Sequence, residues 1–192
     1  MRIISGSKKG HPLKAPPGNT TRPTTDRVRE AIFNVLQTRI SEAKVLDVFA
    51  GSGGMSMEAL SRGAALADLY EKDRKAIAAI EQNIDFLNFS DKARLWKGDA
   101  IHFLSQNISQ YDIIFLDPPY YKGLYNQVVS LILQRNLLAV DGVLVVETST
   151  KLEQGLEDGI LAQLQLKKTV TYGDTKIDYY SLGERGIFCG KD

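Results

Sequence analysis

The sequence predicts a doubly wound α/β fold. A mostly parallel seven-stranded sheet carries helices on its faces, an antiparallel hairpin at the C-terminal edge, and an N-terminal hairpin and helix as an extension. Three observations predict it. From Lys44 to Glu147, short apolar runs alternate with amphipathic segments in a βαβα rhythm. Two runs, Ile113-Ile114-Phe115-Leu116 and Val143-Leu144-Val145-Val146, are apolar at every position, the habit of parallel strands covered on both faces. Near the C-terminus, Val170-Thr171-Tyr172 and Ile177-Asp178-Tyr179-Tyr180 flank Gly173-Asp174, which reads as a hairpin. The natural division is an extension over residues 1–42 and a main domain over 43–192.

The extension is basic. Residues 1–30 hold Arg2, Lys8, Lys9, Lys14, Arg22, Arg27 and Arg29 against Asp26 and Glu30, so the remainder of a chain of net charge +1 is slightly acidic. A basic arm on such a body suits a nucleic-acid contact, because cations near phosphates release condensed counterions. A solvated tail is the alternative. Against it, the strand-like Arg2-Ile3-Ile4-Ser5, two glycines and Pro12-Leu13 suggest a folded hairpin. Arg2, Lys8, Lys9, Lys14, Arg22 and Arg27 are the candidate nucleic-acid contacts. The cap-forming residues from Thr20 to Asp26 then open a helix whose Val28, Ala31, Ile32, Val35, Leu36 and Ile40 face the body, with Arg27, Arg29 and Glu30 facing away.

The main domain follows in order. Val45-Leu46-Asp47-Val48-Phe49 is the first strand, and a helix through Met57, Ala59 and Leu60 ends near Gly63. Leu66 to Tyr70 is the second strand; Ile77, Ile80, Ile84 and Leu87 mark the next helix; Ala93 to Trp96 is the third strand. A helical turn over Ile101 to Leu104 precedes the Ile113 strand, and Leu124, Val128, Leu131 and Ile132 mark a helix before the Gly142 to Glu147 strand.

Candidate chemistry sits at the carboxyl ends of these strands, where open α/β sheets bind ligands. After the first strand, Asp47 leads into Ala50-Gly51-Ser52-Gly53-Gly54, glycines that let backbone approach a nucleotide-like cofactor. The pattern lacks the third glycine of a dinucleotide fingerprint and the Gly-Lys-Ser/Thr of a P-loop. Glu71 ends the second strand, where a carboxylate can accept both hydroxyls of a ribose. Asp99 follows the third strand and can accept from an adenine amine. Either could equally be a plain helix N-terminal acid. Taken together, they describe an adenosine pocket without a phosphate clamp. The fourth strand ends in Asp117-Pro118-Pro119-Tyr120. Prolines hold the loop in one extended shape and donate no N–H, so the loop offers acceptors and an aromatic ring, a set suited to a flat, amine-bearing base. A strand stopping at a Pro-Pro turn has the same composition.

Composition excludes other classes. At 43% hydrophobic residues over 192, the chain can bury a sizeable core. One cysteine and two histidines leave little for a disulfide framework or a zinc site, so a reduced, cytoplasmic, metal-free protein is expected, acting as a monomer. No apolar run approaches the ~20 residues of a membrane span, and no signal peptide opens the chain. Cys189 lies far from any candidate catalytic loop, which leaves no thiolate nucleophile there.

The ordered set Asp47 to Gly53, Glu71, Gly98-Asp99 and Asp117 to Tyr120 resembles the motifs of S-adenosylmethionine-dependent amino-methyltransferases. With Arg2-Ile3-Ile4-Ser5-Gly6, Thr21 to Ala31, Ala59 to Ala64, Glu71-Lys72-Asp73, Gly123-Leu124-Tyr125 and Tyr172 to Thr175, nearly the whole chain resembles the bacterial 16S rRNA guanine-N2 methyltransferase family. Gly54-Met55-Ser56-Met57 and Tyr120-Tyr121 depart from the commoner spelling without removing a polar group. The resemblance implies a Rossmann-like methyltransferase fold and S-adenosylmethionine as cofactor, held by Asp47, Phe49, Gly51, Gly53, Glu71, Lys72, Asp99 and Ala100. It implies catalysis by Asp117, Pro118, Pro119 and Tyr120, and small-subunit rRNA or a ribosomal particle as partner. Two rivals stand beside it. One is another amine acceptor, adenine N6 in DNA or a protein amide; Asp117 in place of Asn and the absence of a target-recognition domain argue against these. The other is a non-catalytic RNA-binding protein of the same fold, against which the intact Asp117 and Glu71 argue.

Overall fold

The computed structural model describes residues 1–16, 26–119, 124–151 and 156–183; Arg22, Tyr120 and Cys189 lie outside them. The described elements run α1 (Asp26–Val35), β1 (Lys44–Asp47), α2 (Gly54–Ser61), β2 (Leu66–Glu71), α3 (Arg74–Leu87), β3 (Ala93–Lys97), α4 (Ala100–Gln106), β4 (Tyr111–Leu116), α5 (Leu124–Gln134), β5 (Leu138–Ser149), α6 (Asp158–Leu161), β6 (Leu164–Tyr172) and β7 (Thr175–Leu182). They form one seven-stranded sheet in the order β3-β2-β1-β4-β5-β7-β6. The first five strands in that order pair in parallel, and β7 runs antiparallel to both β5 and β6.

This is the doubly wound sheet with an added hairpin that the sequence predicts. Because Val45, Leu46, Ile113, Ile114, Phe115, Val145 and Val146 are apolar on both sides of the pleat, each face needs a cover. Val45, Ile113, Phe115 and Val145 pack with Ile32 and Phe33 of α1, Met57 of α2 and Ile80 of α3. Leu46, Ile114, Leu116 and Val146 pack with Leu104 of α4 and Val128 and Ile132 of α5 on the other face. Each such side chain buried contributes roughly 1.5–3 kcal/mol, so the sheet is held chiefly by this two-sided apolar burial. The strand order reverses between β1 and β4, and a crevice opens at their carboxyl ends.

Residues 1–16 fold back on the main sheet rather than standing clear of it. Arg2 and Pro12 form a single antiparallel bridge, supported by hydrogen bonds from Ile3 N to His11 O (2.9 Å) and from Gly10 N to Ile3 O (2.9 Å). The fully buried Glu58 of α2 anchors this segment, accepting from Ile4 N (2.8 Å), Ser5 N (3.0 Å) and Arg62 Nε (2.7 Å). At Gly6, with φ +84°, a Cβ would lie 1.9 Å from the Ser61 carbonyl oxygen, so only glycine allows the chain to pass there.

Three expectations need correction. Arg29 does not face away: it is 1% exposed, and its guanidinium donates to the Arg2 carbonyl and to Asp26 Oδ1 (3.0 Å), with Glu58 beside it at 3.8 Å. Partners at this depth compensate its desolvation, which helical periodicity alone does not reveal. The first strand stops at Asp47, with Val48 and Phe49 already in the turn, because Ala50 N bonds to Tyr70 O (3.0 Å) and draws the chain aside. The hairpin strands are longer than the apolar residues suggest, since β6 is an edge strand whose outer face is solvated, and α6 was not anticipated. Among the described residues no helix is long and apolar enough to cross a membrane.

Candidate functional site

The carboxyl ends of β1, β2, β3, β4 and β5 converge on one cavity of about 1080 Å³. Its first half is built by the turn after β1. Gly51 and Gly53 have φ of +55° and +75°, and a Cβ on Gly53 would press on Ile80 and Leu69 at 3.3 Å, so the turn lies close on α3 and β2. Glu71 braces this turn. Its Oε2 accepts from Gly51 N at 2.7 Å, while Oε1 accepts from Lys72 N (2.8 Å) and Asp73 N (2.9 Å). A carboxylate has about four acceptor sites, so three backbone donors leave about one for a ligand hydroxyl.

Asp47 stands behind the turn, 5% exposed, and accepts from the Ser56 hydroxyl at 2.9 Å. Burial pushes its carboxyl up to about 7, with the nearby Glu71 adding to the rise and the Ser56 hydrogen bond opposing it. Asp99 caps α4 by accepting from Ile101 N (2.9 Å) and has Lys72 Nζ 3.8 Å from its other oxygen. Phe49, Lys72, Asp99 and Ala100 all line the cavity.

The second half is built by β4 and β5. Asp117, Pro118 and Pro119 line it, facing Glu147 at the end of β5 and Thr171 and Tyr172 at the end of β6. Asp117 is open to the cavity, yet the surrounding protein displaces most of the water near it. Its carboxyl is therefore held well above the usual carboxylate range, first by burial, then by the negative charges of Glu147 and Asp47. Tyr125 Oη donates to the Glu147 carbonyl at 2.9 Å and fixes that strand end.

The structure thus gathers Asp47, Phe49, Gly51, Glu71, Lys72, Asp99, Ala100, Asp117, Pro118 and Pro119 on one cavity wall, with Gly53 shaping the turn beneath. Of the candidate RNA contacts, Arg27 also lines the cavity. Arg2, Lys8, Lys9 and Lys14 do not. Lys14 Nζ donates to Gln82 on α3 (2.7 Å), Lys8 Nζ lies 5.8 Å from the Phe89 ring centre, and Arg2 and Lys9 are exposed. Sequence reasoning did not single out Glu147, Asp73 or Arg29 as cavity residues. Glu147 was findable, since it follows the buried run Val143 to Val146 as Asp117 follows Ile113 to Leu116. Arg29 was not.

With this geometry in view, the comparisons are informative. The family model described as Conserved hypothetical protein 95 matches residues 1–181. The chain belongs to this family. The Escherichia coli (strain K12) protein named Ribosomal RNA small subunit methyltransferase D is 40% identical over 156 residues, 81% of this chain and 77% of that protein. The Bacillus subtilis (strain 168) protein YlbH is 38% identical over 183 residues, 94% and 98% of the two chains. The solved structure of Escherichia coli yhhF superposes with a TM-score of 0.84 at 34% identity, covering 95% of this chain and 97% of that one. The Conserved hypothetical protein 95 match begins at residue 1, so it takes in the basic segment as well as the sheet.

Proposed function

We propose that this chain, an S-adenosylmethionine-dependent rRNA methyltransferase, methylates the exocyclic N2 of a guanine in small-subunit rRNA presented on a ribosomal particle. The observation that carries the reading is the convergence of the Gly51 turn with Asp47, Glu71, Asp99, Asp117 and Glu147 on one cavity. The carboxylates around the Gly51 turn, Asp47, Glu71 and Asp99, repel phosphates and suit a cofactor whose sulfonium and ammonium are cationic. The name of the Escherichia coli relative supports small-subunit rRNA as the acceptor.

The donor set fits that cofactor. The Gly51 turn lets it approach the backbone, Glu71 and Asp99 offer acceptors to its ribose and adenine, and Asp47 sits near its cationic end. Once bound, it supplies an electrophilic methyl group. The protein's part is to hold the nucleophile. A guanine amine is weakly nucleophilic because its lone pair is delocalised into the ring. Asp117 and the Pro118 carbonyl each accept one N–H, which favours a pyramidal nitrogen with its lone pair directed at the methyl. After methylation the nitrogen is cationic, and Asp117, its basicity raised by burial and Glu147, takes the released proton. Tyr120, outside the described residues, is assigned to stack on the flipped base. Residues 1–42 act as the RNA-contact extension of a catalytic domain over 43–192, and the enzyme works in the cytoplasm as a monomer without a metal.

The deciding experiment is methyl transfer from labelled cofactor to small-subunit rRNA and to ribosomal particles from a strain lacking this enzyme. The modified nucleoside is then identified. N2-methylguanosine is expected. N6-methyladenosine, or no transfer to either substrate, overturns the reading.

A further inference from the structure

We propose that Glu147 reads the N1–H of the target guanine, beside the N2 amine held by Asp117, so that two neighbouring carboxylates select guanine over bases with an acceptor at that ring position. The inference rests on the guanine-N2 reading above and adds its specificity device. The placement is structural. β4 and β5 run parallel in register through Phe115↔Val145 and Leu116↔Val146, so Asp117, the residue after β4, continues that register toward Glu147 of β5. In-register neighbours on parallel strands project to the same side of the sheet, and the strands lie about 4.8 Å apart. Both residues line the same cavity. The charge of Glu147 is felt directly at Asp117.

The chemistry of the bases makes this arrangement selective. Guanine presents two adjacent donors along one edge, N1–H and the N2 amine. Adenine and cytosine instead place a ring-nitrogen acceptor next to their amine. A pair of side-by-side carboxylates meets the guanine edge with acceptors at both points, whereas an adenine amine at Asp117 would set a lone pair against Glu147. Sites built to pair with a buried donor strongly reject analogues that lack it, because the site's own polar group is then left unpaired. Simple attraction of a cationic cofactor is the competing role for Glu147, and it predicts a change in cofactor affinity rather than in base choice.

The test uses the full chain and a small-subunit rRNA assembled with either guanine or 2-aminopurine at the methylated position, once that position has been located. 2-Aminopurine keeps the N2 amine and has an acceptor at N1. Wild type is expected to prefer guanine in kcat/KM by about 10⁴-fold, the scale on which a site built around a donor rejects the analogue lacking it. Glu147→Gln can turn its amide to donate to the N1 acceptor, so its preference should fall to within about tenfold, with cofactor affinity unchanged. Equal wild-type rates on the two bases, an unchanged preference in the variant, or a loss confined to cofactor affinity overturns the inference while leaving guanine-N2 methylation intact. Failure of the underlying reading is distinguishable, because it appears as absence of N2-methylguanosine from wild type on the guanine substrate. Because 2-aminopurine also lacks O6, the change of preference in a Glu147 variant is the reading that counts. Should Glu147→Gln not fold, Glu147→Ala, which removes the acceptor, is expected to narrow the preference as well, and an unchanged preference in it overturns the inference.

Discussion

Glu71 Oε2 accepts the Gly51 N–H at 2.7 Å, so the acid at the end of the second strand holds the turn at the end of the first. One carboxylate therefore shapes the glycine turn and lines the cavity. Glu71→Ala removes both effects and should weaken cofactor binding by roughly 1–3 kcal/mol, the range for losing charge-assisted hydrogen bonds. Glu71→Gln keeps an acceptor for Gly51 N–H and should lose less. Calorimetric titration of both variants checks this, and unchanged affinity in Glu71→Ala removes the residue from the site.

Asp117→Ala should lower turnover by at least about a hundredfold, the scale for deleting one group that stabilises a transition state, with cofactor binding retained. Because Asp117 lies above the ordinary carboxylate range, kcat should fall with decreasing pH sooner than an unperturbed aspartate would dictate. Glu147→Gln removes a like charge and should move that acidic limb to lower pH. Near-normal methyl transfer by Asp117→Ala would sink the mechanism.

Asp47 links stability to pH. Its folded-state value of about 7 exceeds the usual 3.8, so below about pH 4 both folded and unfolded states are protonated and burial costs nothing extra. As pH rises toward 7 the unfolded state ionises first and the folded state loses ground. Asp47→Asn escapes this and keeps an acceptor for Ser56. The variant should gain on wild type between pH 4 and pH 7 by on the order of 3 kcal/mol. Denaturant melts at pH 4.5 and 8 measure it. A stability gap independent of pH would mean that Asp47 titrates normally.

Glu58→Ala should detach the N-terminal segment. The substitution strips acceptors from Ile4 N, Ser5 N and Arg62 Nε and leaves Arg29 and Arg62 without their buried counter-charge. Removing one partner of a buried ion pair costs about 3–5 kcal/mol. A fall in Tm accompanied by faster hydrogen exchange at Ile3 and Ile4 is the expected result. An intact segment by exchange would contradict it.

Lys8, Lys9 and Lys14 test the RNA extension. Alanine at all three should lower the salt dependence of binding to the ribosomal substrate by about two to three logarithmic units, since each phosphate contact contributes roughly 0.7–0.9. Cofactor affinity should stay constant. Parallel salt titrations for wild type and variant would move RNA recognition to Arg27, which lines the cavity.

The fold was legible because its determinants are local and repetitive. Runs such as Ile113 to Leu116 have no polar face to offer water, so they demand cover on both sides and hence a parallel sheet. Asp99 was legible from the Gly98 turn after the third strand, whereas the acids Asp47, Glu71 and Asp117 were legible for the same reason as the fold, since each directly follows buried strand residues. Glu147 obeys that rule too. What tertiary structure decided is how groups distant in the chain share one space. Arg29 reads as a solvent-facing helical residue, yet Glu58 and the Arg2 carbonyl arrive from other elements and make its burial tolerable. Glu71 reads as a ligand acceptor, yet the fold brings Gly51 N–H to it across 20 residues. The Asp117 carboxyl is held above its ordinary range first by burial and then by Glu147, 30 positions away in the chain and on the neighbouring strand β5. Periodicity reports which side of an element is apolar. Desolvation and Coulomb interactions depend on distances in space, and those exist only after the sheet has closed over its helices.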